Sequence, residues 1–238
     1  MTGSGARWDW LVAKGFNTAN NKKSEEGFDA AVWRKLINAP DTLRQRITLA
    51  LSEILVVAID GLVGTGWRSF SAAAYLDLLE VNAFGNYRTL LGVVSTSAPM
   101  GQFLTFRGNV KTNTATGAHP DENYARELMQ LFTIGLVKLN QDGSSVTVNG
   151  APAYTYSQDD VSALARVFTG WDFDMAGGDS TTPDFLRRPL KQFPAKHETS
   201  VVSFLGGTVA GGLGGAEAMR TALDILFAHS NLAPFISR

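Results

Sequence analysis

The residues best suited to chemistry are concentrated between positions 119 and 135. If this stretch is helical, successive side chains turn by about 100° and separate into two arcs. One arc is polar and carries His119, Glu122, Asn123, Arg126 and Glu127. The other is apolar and carries Tyr124, Ala125, Leu128, Met129, Leu131 and Phe132. Pro120 and Gly135 are typical of a helix start and a helix end. The pattern predicts one amphipathic helix over 119–135.

Two kinds of catalysis are compatible with the polar arc. His119, Glu122 and Glu127 offer nitrogen and oxygen ligands for a divalent cation, with His197 or Asp172 as a further ligand. Alternatively, Glu122 and Glu127 could act as general acid and base in the cleavage of sugars or esters, with His119 beside them. Glu53 or Asp172 would then lie opposite this pair.

Other catalytic motifs are missing from the sequence. There is no G-x-S-x-G stretch for a nucleophilic serine. The glycine-rich run at 206–212 lacks the G-K-[ST] ending of a phosphate-binding loop.

A structural interpretation competes with catalysis. Arg126, flanked by Glu122, Glu127 and Asn123, could be the centre of a buried hydrogen-bond network, with Asp159 or Asp160 from a following helix. A network of this kind fixes the register of neighbouring helices. Trp171 and His197 could join the network or bind substrate, although a tryptophan is more often a core or rim aromatic than a stacking platform.

Composition narrows the class of protein. The 238 residues are 45% hydrophobic and 18% charged, which predicts a folded core. A net charge of −1 provides no broad basic surface, so we expect no nucleic-acid partner. Zero cysteines exclude disulfides, thiolate metal sites and a cysteine nucleophile. The longest apolar run, residues 54–59, is too short to span a bilayer, and no signal-peptide pattern is present.

The order of sequence patterns predicts a mainly α fold: an irregular multi-helix body with one small β-hairpin and a loop-rich C-terminal region. Predicted helices include 42–60, 69–82, 119–135, 158–169 and 217–229. The hairpin is expected around Asp142-Gly143, within 136–148. Residues 172–214 are predicted to be an irregular segment that wraps over the helices. We expect a helical body over 1–135 and a second part over 136–238, packed as one domain.

Three blocks resemble one bacterial family. They are HPDENYARELMQLFTIG at 119–135, YSQDDV at 156–161 and ARVFTGW at 165–171. The family is domain of unknown function 1800, with the signature H-P-N-E-N-(F/Y)-A-R-E-L-M-E-L-F-T-L-G, then Y-(T/S)-E-x-D-V and A-R-A-(L/F)-T-G-W. Gln130 replaces a common glutamate. The sequence 197–200, His-Glu-Thr-Ser, departs from the family's H-D-x-G-x-K.

The resemblance implies a location but no reaction. Members are largely exported bacterial proteins, often encoded beside another uncharacterised exported family. We therefore expect a periplasmic or extracellular protein whose partner is another exported protein. Members are usually longer, and the linker-like Gly3-Ser4-Gly5 and the apolar segment that begins at Leu232 also lead us to expect a truncated chain.

Two functional hypotheses remain. The first is a hydrolytic or metal-assisted enzyme whose site lies on the polar face of 119–135, under the 172–200 segment. The second is a non-catalytic structural or protein-binding scaffold in which the same face is a hydrogen-bond network. A cleft reaching Glu122, Asn123 and Glu127 favours the enzyme, whereas complete internal pairing favours the scaffold.

Overall fold

The computed structural model describes residues 5–64, 66–178 and 180–238, and this part of the chain is mainly helical. The α-helices are α1 (Arg7–Ala13), α2 (Phe28–Asn38), α3 (Thr42–Ile54), α4 (Arg68–Val81), α5 (Tyr87–Ser95), α6 (Ala98–Phe103), α7 (Asn123–Gln130), α8 (Gln158–Val167), α9 (Gly215–Ala228) and α10 (Leu232–Ile236). Short 3₁₀ turns lie at Ala19–Asn21, Ile59–Gly61, Asp184–Arg187 and Pro194–Lys196. None of the described helices is both long and apolar enough to cross a membrane.

The predicted mainly α class is confirmed, but a single hairpin understates the β-structure. The described residues contain three two-stranded sheets, which pair β1 (Thr147–Val148) with β2 (Ala151–Pro152), β3 (Trp171–Asp172) with β4 (Lys191–Gln192), and β5 (Val202–Phe204) with β6 (Gly207–Val209). The last pair lies inside the segment that we predicted to be irregular. Its register joins Val202 to Val209 and Phe204 to Gly207.

The hairpin turn itself lies at Asn149-Gly150. Both residues have positive φ, 52° and 81°, as a two-residue type I′ turn requires. Val148 pairs with Ala151 on either side of that turn. At the predicted turn, Asp142-Gly143, the chain also reverses: Leu139 and Ser145 form an antiparallel bridge. Backbone hydrogen bonds of 2.8 Å from Asn140 N–H to the Ser144 carbonyl and from Val146 N–H to the Lys138 carbonyl flank this bridge.

The chain divides into two compact units, and both are discontinuous in sequence. Unit 1 comprises Met1–Phe103 with Phe173–Lys191, and unit 2 comprises Leu104–Asp172 with Gln192–Arg238. The proposed organisation as one domain with parts 1–135 and 136–238 stays a prediction.

Unit 1 is built around α4, which packs against α1, α2, α3 and α6. A buried charge cluster joins these helices. Glu80 of α4 accepts hydrogen bonds from Arg7 Nη1 at 2.7 Å and from Lys35 Nζ at 2.6 and 2.7 Å. Asp77 accepts the backbone N–H groups of Arg7 and Trp8, both at 2.9 Å, and so caps the start of α1. Burial raises the pKa of Asp77, against the lowering effect of these donors.

The predicted helix 42–60 ends at Ile54 and is not a central core helix. Its buried residues are Gln45 and Thr48, while Leu43 is 63% exposed. Gln45 is buried because its Oε1 accepts a hydrogen bond from Arg7 Nη2 at 3.0 Å. The chain leaves the helix at Leu55, whose carbonyl accepts the Tyr75 hydroxyl at 2.6 Å. α4, and not α3, therefore holds the central position in unit 1.

Unit 2 is built around the contact of α7 with α8. The apolar arc of the motif helix is buried as predicted except at Leu131, which is 47% exposed. Tyr124 packs edge-on against Phe168 with ring centroids 4.8 Å apart. α8 also packs against β5 and α9. The predicted helix 158–169 is present as α8, and a Ser157–Asp160 capping box begins it.

Candidate functional site

The motif helix is shorter than predicted and begins at Asn123. Asp121 Oδ1 accepts the Asn123 backbone N–H at 2.8 Å and the Thr105 hydroxyl at 2.9 Å. Residues 119–122 therefore form a non-helical segment before the helix, and His119 is an exposed residue of that segment. The predicted placement of His119 on the helical arc is wrong, because the helix has not started there.

Glu122 is the most highly coordinated side chain of the predicted site. Its Oε2 accepts hydrogen bonds from Gln158 Nε2 at 2.7 Å and Arg126 Nη2 at 3.1 Å, and its Oε1 accepts from Ser162 Oγ at 2.5 Å. The Ser162 hydroxyl is the main cause of a lowered Glu122 pKa, burial opposes it, and Gln158 and Arg126 lower the pKa further. At neutral pH Glu122 is thus an ionised acceptor that connects α7 to α8.

Arg126 is not the buried centre that the sequence suggested. Its side chain is 39% exposed and contacts Glu122 and Gln158. Asp160 instead accepts the Ser157 and Leu205 backbone N–H groups, both at 2.8 Å. The centre of the network is therefore the Glu122 carboxylate. Sequence reasoning missed Gln158 and Ser162, although their spacing of four places both on one face of α8.

Glu127 has a different environment from Glu122. Its Oε2 is buried and has no hydrogen-bond partner among the described residues. Burial raises the pKa of the Glu127 carboxyl, and the nearby Arg126 charge offsets this only in part. Burial likewise raises the pKa of Tyr156, with a smaller contribution from the Glu127 charge. Of the two acids, Glu127 is the one whose environment favours holding a proton.

The orientation of His197 fixes the position of one ring proton. The side chain is 2% exposed, and its Nδ1 lies 3.0 Å from the Thr169 carbonyl oxygen. A carbonyl only accepts hydrogen bonds, so Nδ1 must carry the proton. The Thr169 hydroxyl, 3.2 Å from Nδ1, donates to the Arg166 carbonyl and accepts the Glu198 N–H.

When the His197 ring is neutral, its other nitrogen, Nε2, carries a lone pair and can accept a hydrogen bond. This Nε2 is buried and has no partner among the described residues. Gly170 allows the close approach of the 193–197 segment, since a Cβ there would lie 2.8 Å from the Phe193 carbonyl oxygen.

Trp171 and Asn123 occupy opposite extremes of exposure. Trp171 is 4% exposed, and its indole N–H is buried without an acceptor in the described chain, which fits a core aromatic better than a stacking platform. Asn123 is exposed, and only its backbone N–H has a described hydrogen bond. Asp172, a further candidate, pairs with Arg107 at 2.9 Å.

The predicted metal ligands are not gathered into one site. Among the described residues, no group of three or more His, Asp or Glu side chains is arranged to hold a metal ion. His119 is exposed, the oxygens of Glu122 are occupied, and His197 is buried. Binding of a divalent cation to this set stays a prediction.

Comparison with known proteins places the chain by family alone. Neither the curated proteins nor the solved structures include a match to it. A family described as "Protein of unknown function (DUF1800)" matches residues 6–238. This span contains all three blocks that resembled the family, and it covers nearly the whole chain. The chain therefore belongs to the DUF1800 family of proteins of unknown function.

Proposed function

We propose that this chain is a non-catalytic structural module of a binding scaffold, in which the polar motif face fixes α7 to α8. The observation that carries the proposal is the hydrogen bonding of both Glu122 oxygens, which accept from Arg126, Gln158 and Ser162. A catalytic carboxylate must offer an oxygen or a proton to substrate, and here both oxygens already accept strong hydrogen bonds.

The neighbouring polar residues support the same interpretation. Asp160 closes the capping box of α8 and also holds the Leu205 N–H in the turn between β5 and β6. Arg166 of α8 lies 3.8 Å from Glu198, and its guanidinium donates to Ser200. Each of these contacts ties α8 to a different segment of unit 2, so α8 is the element that the motif residues position.

The proposed setting is outside the cytoplasm. We propose a periplasmic or extracellular location, with another exported protein as the partner of the scaffold. The resemblance of the three sequence blocks to a largely exported family supports this. Fractionation of cells that express the native gene, followed by immunodetection, tests it; retention in the cytoplasm would contradict the proposed location.

The test of the structural role is Glu122→Gln. This change keeps the shape but removes the charge, and we expect a loss of about 1 kcal/mol in the free energy of unfolding, after allowance for solvent screening. Glu217→Gln is the matched control, because Glu217 is exposed and pairs only with Arg220 within its own helix. Its effect should stay within about 0.5 kcal/mol.

Activity measurements decide whether the role of Glu122 is structural. Hydrolysis of aryl esters and aryl glycosides, and metal content of the purified native protein, should be the same for wild type and Glu122→Gln. A variant that keeps wild-type stability but loses hydrolysis or a bound metal would overturn the proposal.

A second candidate function rests on Glu127. Its unpartnered buried oxygen and raised pKa suit a general acid, so hydrolysis of a sugar or ester is the alternative. In that case Glu127→Gln abolishes hydrolysis while the protein stays folded. The wild-type rate would also fall as pH rises through the Glu127 pKa, since the protonated form is the active one. A rate that does not depend on Glu127 excludes this role.

A further inference from the structure

Unit 1 contains a groove of about 340 Å³ whose floor is one face of α4. Four α4 residues, Ala74, Asp77, Leu78 and Val81, line it together with Asn82, which follows the helix directly. Their spacing of three and four residues places them along one side of the helix. The end of α5, the start of α6 and residues 186–189 form the walls. The volume falls at the lower end of the range for small-molecule sites.

The polar side chains that line the groove already have partners in the protein. The Thr96 hydroxyl donates to the Gly92 and Val93 carbonyls, and the Ser97 hydroxyl donates to the Val94 carbonyl. The Asn82 amide donates to the Leu78 carbonyl at 2.8 Å. A ligand in the groove would therefore meet mainly carbon, with few free donors along its length.

The carboxylate in the lining is also neutralised. Asp77 accepts the backbone N–H groups at the start of α1 and lies 3.1 Å from Arg7 Nη1. Its charge is thus balanced from the α1 side, and it does not make the groove attractive to a cation.

The remaining charge in the lining is positive. Arg187 pairs with Asp184 at 2.9 Å and lies over the Trp8 ring. Arg188 donates to the backbone carbonyls of Asp174 and Ala176, at 3.3 and 2.5 Å. Within the described chain Arg188 has no carboxylate partner, so the groove carries one uncompensated positive charge near its 186–189 wall. An apolar ligand with a negative group complements this arrangement.

We propose that this groove binds an aliphatic monocarboxylate of medium chain length, with the chain along α4 and the carboxylate near Arg188. The volume is about eleven times the ~30 Å³ of a liquid water molecule, which accommodates roughly eight to ten carbon atoms. Val81 is 77% exposed at the edge of α4, and burial of this side chain by the aliphatic chain adds favourable apolar contact.

The experiment is calorimetric titration of the full chain with three octyl compounds: octanoate, octan-1-ol and octyltrimethylammonium. Saturable binding of octanoate is expected, about tenfold tighter than that of uncharged octan-1-ol, because one guanidinium without a carboxylate partner corresponds to about that factor. The cation should bind more weakly than octan-1-ol. Octan-1-ol should bind with intermediate affinity. Absence of saturable octanoate binding up to its solubility limit, or equal binding of the cation, would overturn the proposal.

Variants separate the binding of the ligand's aliphatic chain from the effect of the Arg188 charge. Arg188→Met should weaken octanoate about tenfold, to the level of octan-1-ol, while octan-1-ol changes less than twofold and so reports an intact groove. Arg220→Met, on an exposed arginine of α9, is the matched control and should change neither affinity. If Arg188→Met leaves octanoate binding unchanged, the proposed position of the carboxylate is wrong.

Blocking the groove tests where the aliphatic chain of the ligand binds. Ala74→Trp fills the floor and should abolish binding of both octanoate and octan-1-ol. If that variant fails to fold, Val81→Asp at the exposed edge should weaken octanoate more than octan-1-ol. Unchanged binding by a folded Ala74→Trp would show that the ligand binds elsewhere and would refute the site.

Discussion

Replacement of Glu80 by glutamine is expected to be the most destabilising charge change in unit 1. Glu80 accepts from Arg7 Nη1 at 2.7 Å and from Lys35 Nζ at 2.6 Å, and the three side chains are at most 3% exposed. With glutamine, Arg7 and Lys35 would both lose the charge of the Glu80 carboxylate, and Arg7 would keep its pair with Asp77. Removal of one partner of a buried ion pair costs about 3–5 kcal/mol. Domain stabilities are about 5–15 kcal/mol, so the loss is a large fraction of the total.

Denaturant unfolding followed by tryptophan fluorescence measures this loss. Four of the five tryptophans, Trp8, Trp10, Trp33 and Trp67, belong to unit 1, so the signal reports mainly that unit. A chain of this size shifts its melting temperature by about 2–4 °C per kcal/mol, which predicts a decrease of roughly 6–20 °C for Glu80→Gln.

Two further variants make the test specific to the buried cluster. Glu25→Gln removes the carboxylate of a surface pair with Arg68, and it should change stability by less than about 1 kcal/mol. Lys35→Met added to Glu80→Gln removes the buried cation that has lost the Glu80 charge and should restore at least about 1 kcal/mol. A Glu80→Gln protein within 1 kcal/mol of wild type would refute the reasoning, as would a double variant less stable than the single one.

Four more predictions concern unit 2. Gly170→Ala should cost more than about 2 kcal/mol, because its φ is +79° and its Cβ would lie 2.8 Å from the Phe193 carbonyl oxygen. Gly212→Ala, also in unit 2, has a similar φ of +80° but open space, so urea denaturation of the pair isolates the steric part. Glu127 has a pKa raised in the folded state, so the stability it contributes is present below its unfolded pKa and is lost as pH rises through the folded pKa. Glu127→Gln should therefore be more stable than wild type at pH 7 and lose this advantage below about pH 4, as measured by denaturation at both pH values. Asp160→Ala removes the α8 cap and should cost about 1–2 kcal/mol, whereas Asp159→Ala, on an exposed first-turn residue, should cost less than half of that in thermal unfolding. The His197 ring should show a slowly exchanging Nδ1-bound proton by ¹⁵N NMR; a proton found on Nε2 alone would contradict the assigned tautomer.

The helices with strong local signals were predictable from the sequence. The Ser157–Asp160 capping box marks the start of α8, and the apolar spacing over 69–82 corresponds to α4. The prediction of a continuous helix over 42–60 failed because the buried face of α3 is polar. Gln45 is buried to satisfy Arg7, a residue 38 positions away, and hydrophobic periodicity carries no information about such a partner.

The candidate site was only partly predictable for the same reason. The sequence placed Glu122 and Arg126 at the right spacing for an ion pair, which the structure contains. Two further hydrogen-bond donors to the Glu122 carboxylate are the Gln158 amide and the Ser162 hydroxyl. They lie beside Glu122 only once α7 and α8 have packed together. His119 was misplaced because Asp121 caps the helix two residues later. The Asn149-Gly150 dipeptide was a readable signal for a second hairpin turn, which our prediction of one hairpin around Asp142-Gly143 left out.

The interleaved order of the two units has a consequence for synthesis. Phe185, Leu186 and Leu190 are buried residues of unit 1, yet they leave the ribosome only after residues 104–172, which belong to unit 2. Unit 2 in turn is complete only after residues 192–238 have been synthesised. Neither unit corresponds to a contiguous fragment that could be expressed alone. The nascent chain must hold two incomplete cores at once, which favours late, slow folding and dependence on chaperones.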